Sequence, residues 1–362
     1  MLILQVVGNK GRRGMETQVV DLCEALAGLG HRLVVACKKG GWVAEEVSGR
    51  LETLSYPMRR RFDFVSRRRF QADAERLRPD VIHAHGPVAW RVACRAAGKA
   101  GVPLVASVHG WQGISPDLAL ADRVLVVCRQ LAERVGKAGV VESDISVVPN
   151  AVDTERYGPA SGDTKTELRL QIGLPDGLLF ASTCRLIPAK GHRTLIEAAA
   201  RVVAGVGDVH FLIVGGGSPA YRKQLRDLCS RRKLGSAFVF MGQRADVPDI
   251  LKAADALVHP SLEETASRAV IEAMASGLPV IAADVGGTRD LVRDGEDGLI
   301  VPAGSVEGFS EAITRLVTDA GLRTRMGHSA RARAEREFSL SGVAPRVLDE
   351  YRMAQRRQVA SE

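Results

Sequence analysis

The chain has 362 residues, 46% apolar, 25% charged and 4% aromatic, with a formal net charge of +8. That length holds two domains with filled cores, and no apolar run approaches the roughly 20 residues of a membrane-spanning helix. Sparse aromatics and the lack of any recognised nucleic-acid module argue against a nucleic-acid partner.

The positive excess is uneven: 23 Lys and Arg face 17 Asp and Glu through Ala160, and 27 face 25 beyond it. A basic first half suits an acidic partner, either a phosphate-bearing acceptor or an anionic membrane. The six cysteines include no Cys-x-x-Cys pair. They read as small core residues of a reducing compartment, which makes the cytoplasm the expected location.

Val-, Ile- and Leu-rich segments alternate with helix-length segments, the pattern of parallel sheets covered by helices. The start, Met1-Leu2-Ile3-Leu4-Gln5-Val6-Val7, lacks a basic leader and a cleavage site and reads as a buried strand. Further strands are expected at 32–36, 81–83, 104–107, 123–127 and 145–148. The loop Gly8-Asn9-Lys10-Gly11-Arg12-Arg13-Gly14 feeds a helix whose Met15, Val19, Leu22, Cys23 and Leu26 share one face. A glycine-rich turn at a helix start suits a diphosphate, although this one is not a dinucleotide fingerprint.

In the run 58–70, six arginines interleave with Met58, Phe62, Phe64 and Phe70. Such a mixture fits an anionic membrane surface, with aromatics in the interface and cations on phosphates; the competing reading packs the phenylalanines inward. His83-Ala84-His85 invites a metal, but alternation along a strand is expected to send the two rings to opposite faces, so no metal is assigned. His109 ends a strand.

The stretch Gly158-Pro159-Ala160-Ser161-Gly162-Asp163 is a linker by composition. Beyond it, strands are expected at 180–184 and 211–214, the latter ending in Gly215-Gly216-Gly217. Arg185 and Lys190 flank a loop entering a helix, an arrangement of fixed cations suited to a diphosphate. A strand ending at Val258-His259-Pro260 leads through Glu264 into a helix from about Arg268 to Ser276, with Gly277 as its left-handed terminator. Glu264 and Glu272 lie in an apolar setting, where carboxylates need partners.

The spacing of Glu264 and Glu272, followed by Ala273-Met274-Ala275-Ser276-Gly277-Leu278-Pro279-Val280, by Gly286-Gly287-Thr288 and by Asp297-Gly298-Leu299-Ile300-Val301-Pro302, resembles glycosyltransferase family 4. The resemblance implies an α/β GT-B fold: two doubly wound Rossmann-like domains with an interdomain cleft, and a last helix crossing back to the first domain. The implied boundaries are 1–162 plus about 341–362 for the acceptor-side domain, and 163–340 for the nucleotide-sugar domain. It implies a retaining, metal-independent hexosyltransferase without a cofactor, acting on a nucleotide-sugar donor (a UDP-sugar is favoured) and a glycan or lipid-linked acceptor. Cell-envelope polysaccharide or lipopolysaccharide synthesis is the expected setting, in the cytoplasm or peripherally on the inner face of the membrane.

Carried over residue by residue, Gly14 approaches the donor phosphate, and Arg185 and Lys190 hold the diphosphate. Arg244 lies in the nucleobase loop, Glu272 takes the ribose hydroxyls, and Glu264 and His109 lie at the sugar. The amides near Ala266, Ser267 and Arg268 face sugar or phosphate oxygens. Where many members have Gly-Phe-Gly after the first glutamate, this chain has Thr265-Ala266-Ser267, so no sugar identity follows. The rivals are a GT-B-shaped nucleotide-sugar epimerase, a transferase with a soluble small-molecule acceptor, and a binding module. An oxidoreductase lacks its dinucleotide fingerprint.

Overall fold

The computed structural model describes residues 1–58, 63–206 and 208–361. Two units emerge, Met1–Ala151 with Leu340–Glu362, and Val152–Ser339. The first is built on β1 (Leu2–Val7), β2 (Arg32–Lys38), β3 (Glu52–Tyr56), β4 (Val81–His85), β5 (Leu104–Val108), β6 (Arg123–Val126) and β7 (Ile145–Val147). All pairs are parallel, in the order β3-β2-β1-β4-β5-β6-β7. Central strands covered on both faces must be apolar throughout, which is why β1, β4 and β5 were readable. β3 was not expected, because Glu-Thr-Leu-Ser-Tyr is an edge strand with only Tyr56 buried.

The last helix, Leu340–Ser361, inserts Val343, Ala344, Val347, Leu348, Tyr351 and Ala354 into the core of this first unit. At roughly 1.5–3 kcal/mol per large side chain buried, its four larger residues contribute about 6–12 kcal/mol, an upper bound.

Two of the expected membrane anchors turn inward instead. Met58 and Phe70 are fully buried, and Phe70 meets Tyr56 edge-on at 5.9 Å between ring centroids. Asp63 caps the helix Phe64–Leu77 by accepting from the Ser66 amide at 3.0 Å, and this turns Phe64 and Val65 outward, 65% and 60% exposed. Arg59, Arg60, Arg61 and Phe62 lie outside the described residues.

The second unit carries β8 (Leu178–Thr183), β9 (Val209–Val214), β10 (Phe238–Gly242), β11 (Ala256–His259), β12 (Val280–Ala283) and β13 (Gly298–Val301). These strands are also all parallel, in the order β10-β9-β8-β11-β12-β13. Phe180, Phe211 and Phe238 pack in series within its core. Asp297, part of the motif block, is fully buried and accepts from Arg293, Arg333 and Ser329; burial alone would raise its carboxyl, and these donors hold it at about 2. Asp297 therefore joins the end of β12's neighbour to the helices behind it, and its place in the motif is structural.

In each unit the strand order reverses once, between β1 and β4 and between β8 and β11. Ligands of open α/β sheets bind at such reversals, beyond the carboxyl ends of the strands.

Candidate functional site

In the second unit, three loops leave the carboxyl ends of β8, β11 and β12 and are fastened to one another by backbone contacts. Gly191 has φ +68°, and a Cβ there would lie 1.8 Å from the Pro260 carbonyl oxygen. The Leu262 amide donates to the Ala189 carbonyl at 2.8 Å. Gly286, at φ +56°, approaches so closely that a Cβ would lie 2.0 Å from the Glu264 carbonyl oxygen, and the Gly287 amide donates to Thr265. Only glycine permits both the left-handed backbone and these approaches. Together they bring Lys190 and Glu264, 74 positions apart, into contact.

Lys190 Nζ lies 2.5 Å from Glu264 Oε2, with both side chains 15% exposed. His259 Nε2 lies 3.2 Å from the same oxygen and 3.1 Å from Ser261 Oγ, and the Thr265 amide donates to Glu264 Oε1 at 3.1 Å. Burial would raise the Glu264 carboxyl; the His259 hydrogen bond and charge, then the Lys190 ammonium, outweigh it and hold it at about 2. Glu264 is thus a fixed anion at neutral pH. The ion pair with Glu264 draws the Lys190 ammonium inward.

Arg185 stands on the same loop, exposed, with no hydrogen bond or ion pair on its guanidinium among the described residues. The loop carrying it is pressed onto the end of β9: a Cβ on Gly215 would lie 1.9 Å from the Cys184 carbonyl oxygen. The helix Arg268–Ala275 begins directly after the Glu264 loop, and its N-cap residue Ser267 makes no side-chain cap. Ala266, Ser267 and Arg268 are buried there, at the positive end of the helix. Within the helix, Arg268 Nε lies 3.6 Å from Glu272 Oε1, so Glu272 has a cation for a neighbour. Arg244 is not part of this group: it follows β10 at the sheet edge and forks onto Asp246 at 2.8 and 2.5 Å.

In the first unit, Gly14 opens the helix Gly14–Gly28, and His109 follows β5, at the same sheet end. The expected separation of His83 from His85 does not hold. Residues two apart on a strand share a face, and their ring centroids are 4.0 Å apart. They belong to a buried chain of polar groups that also contains Gln5, Tyr351, Ser107 and His109.

Sequence reasoning missed His259 and Ser261 as partners of Glu264, although both stand between the end of β11 and Glu264. It also missed Gln5, whose signal was available: one amide inside the apolar run Leu2–Val7.

Residues 12–156 match the family model described as Glycosyltransferase Family 4, and residues 176–319 the one described as Glycosyl transferases group 1. The D-inositol 3-phosphate glycosyltransferase of Actinosynnema mirum is 30% identical, over 97% of this chain and 91% of that protein. UDP-Gal:alpha-D-GlcNAc-diphosphoundecaprenol alpha-1,3-galactosyltransferase of Escherichia coli is 29% identical, over 75% of each. Anabaena HepE, solved with UDP-glucose, has the same fold, with a TM-score of 0.85 at 23% identity over 96% of this chain and 98% of that one. Two parallel Rossmann-like sheets, the Glu264 and Glu272 block and these matches converge: the chain is a GT-B glycosyltransferase and belongs to glycosyltransferase family 4.

Proposed function

We propose that the protein transfers a sugar with retention, and without a metal, from a UDP-sugar to a lipid-linked or glycan acceptor of the cell envelope. The observation that carries this reading is the cluster of Lys190, Glu264 and His259 at the β8/β11 reversal, beside the uncommitted cation Arg185. An ammonium has three donors, so Lys190 retains two after serving Glu264. With Arg185 and the start of the helix Arg268–Ala275, it meets the diphosphate as charge builds on the leaving group, preorganised electrostatics of the kind that often dominates catalysis. Glu264 and His109 lie at the transferring sugar, Glu272 takes the ribose, and Gly14 and Arg244 line the phosphate and base ends of the donor.

The donor and acceptor classes are supported by the Escherichia coli relative, whose name records a UDP-sugar and a diphosphoundecaprenol acceptor. Among the described residues no helix is long and apolar enough to cross a membrane. The proposed route to a lipid acceptor is surface docking through the exposed Phe64 and Val65, with Arg68 and Arg69 beside them.

A panel of nucleotide-sugars with excess EDTA present tests the core of this reading. A UDP-sugar is expected to raise the melting temperature, a ligand at 100 times its Kd stabilising by about 2.7 kcal/mol, and to be turned over with its anomeric configuration kept. Loss of all turnover in EDTA, restored by Mg2+ or Mn2+, would overturn the metal-free mechanism.

A further inference from the structure

We propose that Gln5 and Tyr351 are positioning residues that fix the tautomer of His109 through a one-way chain of hydrogen bonds in the first unit. The proposal rests on the placement of His109 at the sugar, and specifies which of its ring nitrogens carries the exchangeable proton.

The chain runs through six side chains from β1, β4, β5, the residue after β5, and the last helix. Gln5 Nε2 donates to the Tyr351 hydroxyl at 3.0 Å, while Gln5 Oε1 lies 2.7 Å from His85 Nε2. An amide oxygen only accepts, so His85 Nε2 bears a hydrogen. Burial, with His83 and His109 nearby, drives the His85 ring well below the usual range for protonation. A neutral ring has one N–H, so His85 Nδ1 is an acceptor. His109 Nε2, 3.2 Å away, must therefore donate to it. Whatever its charge, His109 carries a proton on Nε2, and the proton it gains or gives up is the one on Nδ1.

The other arm has the same polarity. Burial pushes the Tyr351 hydroxyl far above its ordinary range, so it stays protonated. Having accepted from Gln5, it donates to His83 Nδ1 at 2.7 Å, and His83 Nε2 then donates to Ser107 Oγ at 2.7 Å. Burial, then the His109 charge, lowers His83 to about 3, so that ring is neutral too. Every donor points from His109 toward Ser107, an alignment in which successive bonds strengthen one another.

The reverse arrangement satisfies the same contacts. Turning the Gln5 amide over would reverse every bond: His85 would carry its hydrogen on Nδ1, and His109 would receive it on Nε2. The two polarities present opposite nitrogens of His109, and the Gln5 amide stands in the first of them, Nε2 on Tyr351 and Oε1 on His85. Tyr351 comes from the far end of the chain, so the final helix supplies a link in the chain that ends at a residue 242 positions away.

The test is 15N NMR of the full-length protein with labelled histidine, the His109 signals assigned by their loss in His109→Gln. In the wild-type protein Nε2 is expected to be pyrrole-like and Nδ1 pyridine-like. A pyridine-like Nε2 would overturn the proposal without any variant. In Tyr351→Phe the amide has lost its hydroxyl partner, and the two His109 tautomers are expected to mix, with a fall in kcat of about tenfold and an unchanged donor KM. Should that variant unfold, Gln5→Leu gives the same reading from the other side of the contact. A single retained tautomer in the folded variant would also sink the idea. Mixed tautomers with full kcat would uphold the hydrogen-bond chain and remove His109 from the reaction, so the two failures are distinct.

Discussion

Arg185 and Lys190 read alike in the sequence, but their surroundings differ, and so do the outcomes expected on removing them. Arg185→Ala removes an exposed cation with no partner to strand, so turnover is expected to fall by roughly 100-fold or more with an unchanged melting temperature. Lys190→Ala leaves Glu264 charged and largely buried, with the His259 contact at 3.2 Å still in place; breaking a buried pair costs about 3–5 kcal/mol, so both turnover and stability should drop. The pH dependence separates the effects. Glu264 has its carboxyl depressed from 4.5 to about 2, so its stabilisation is present above pH 4.5 and is lost as pH falls toward 2. That contribution is on the order of 3 kcal/mol. Denaturant midpoints at pH 7 and pH 3 should differ less in Lys190→Ala than in the wild-type protein. Equal activity of Arg185→Ala and wild type would refute the diphosphate clamp.

Loops and helices carry the next level of detail, and it is here that the sequence was only partly legible. The helix Arg268–Ala275 and its terminator Gly277, at φ +74°, were readable because cap chemistry is local. The apolar strands were readable for the same reason. What periodicity could not show was which loop rests on which, since that depends on contacts between distant segments. The structure makes Gly191 the fastener between Lys190 and Glu264, through a close approach to Pro260, 69 positions on. Gly191→Ala should therefore lower stability by about 1–3 kcal/mol from left-handed strain, and reduce turnover; an unaltered denaturant midpoint would show that the fastening is dispensable. The basic run was likewise misread in detail, because Met58 and Phe70 turn inward and only Phe64 and Val65 remain as apolar contacts among the described residues. Flotation on vesicles of anionic lipid should need Phe64 and Val65, weaken with salt, and fail for a double serine variant. Undiminished flotation of that variant would leave a soluble acceptor as the better reading.

At the scale of the whole molecule, the two sheets share a plan, yet only the first depends on a segment from the other end of the chain. Deleting residues 340–362 should leave the second unit folded, because Val152–Ser339 contains its own core. The first unit would lose the helix that buries Val343, Val347, Leu348 and Tyr351. Limited proteolysis of the truncated protein should yield a resistant fragment from about Val152 onward and rapid cleavage before it; protection of both units would show that the first core stands without its final helix.

That arrangement bears on how the protein is made. Synthesis runs from the N-terminal side, so the seven strands of the first sheet leave the ribosome before the helix Leu340–Ser361 that completes their core. The six-stranded unit that follows has every residue it needs once Ser339 has emerged, and can fold while the nascent chain is still tethered. The segment made first is thus finished last. Until the closing helix is released, the unfilled groove of the first unit is an exposed apolar surface, a standing demand on chaperones that an early stop codon would make permanent.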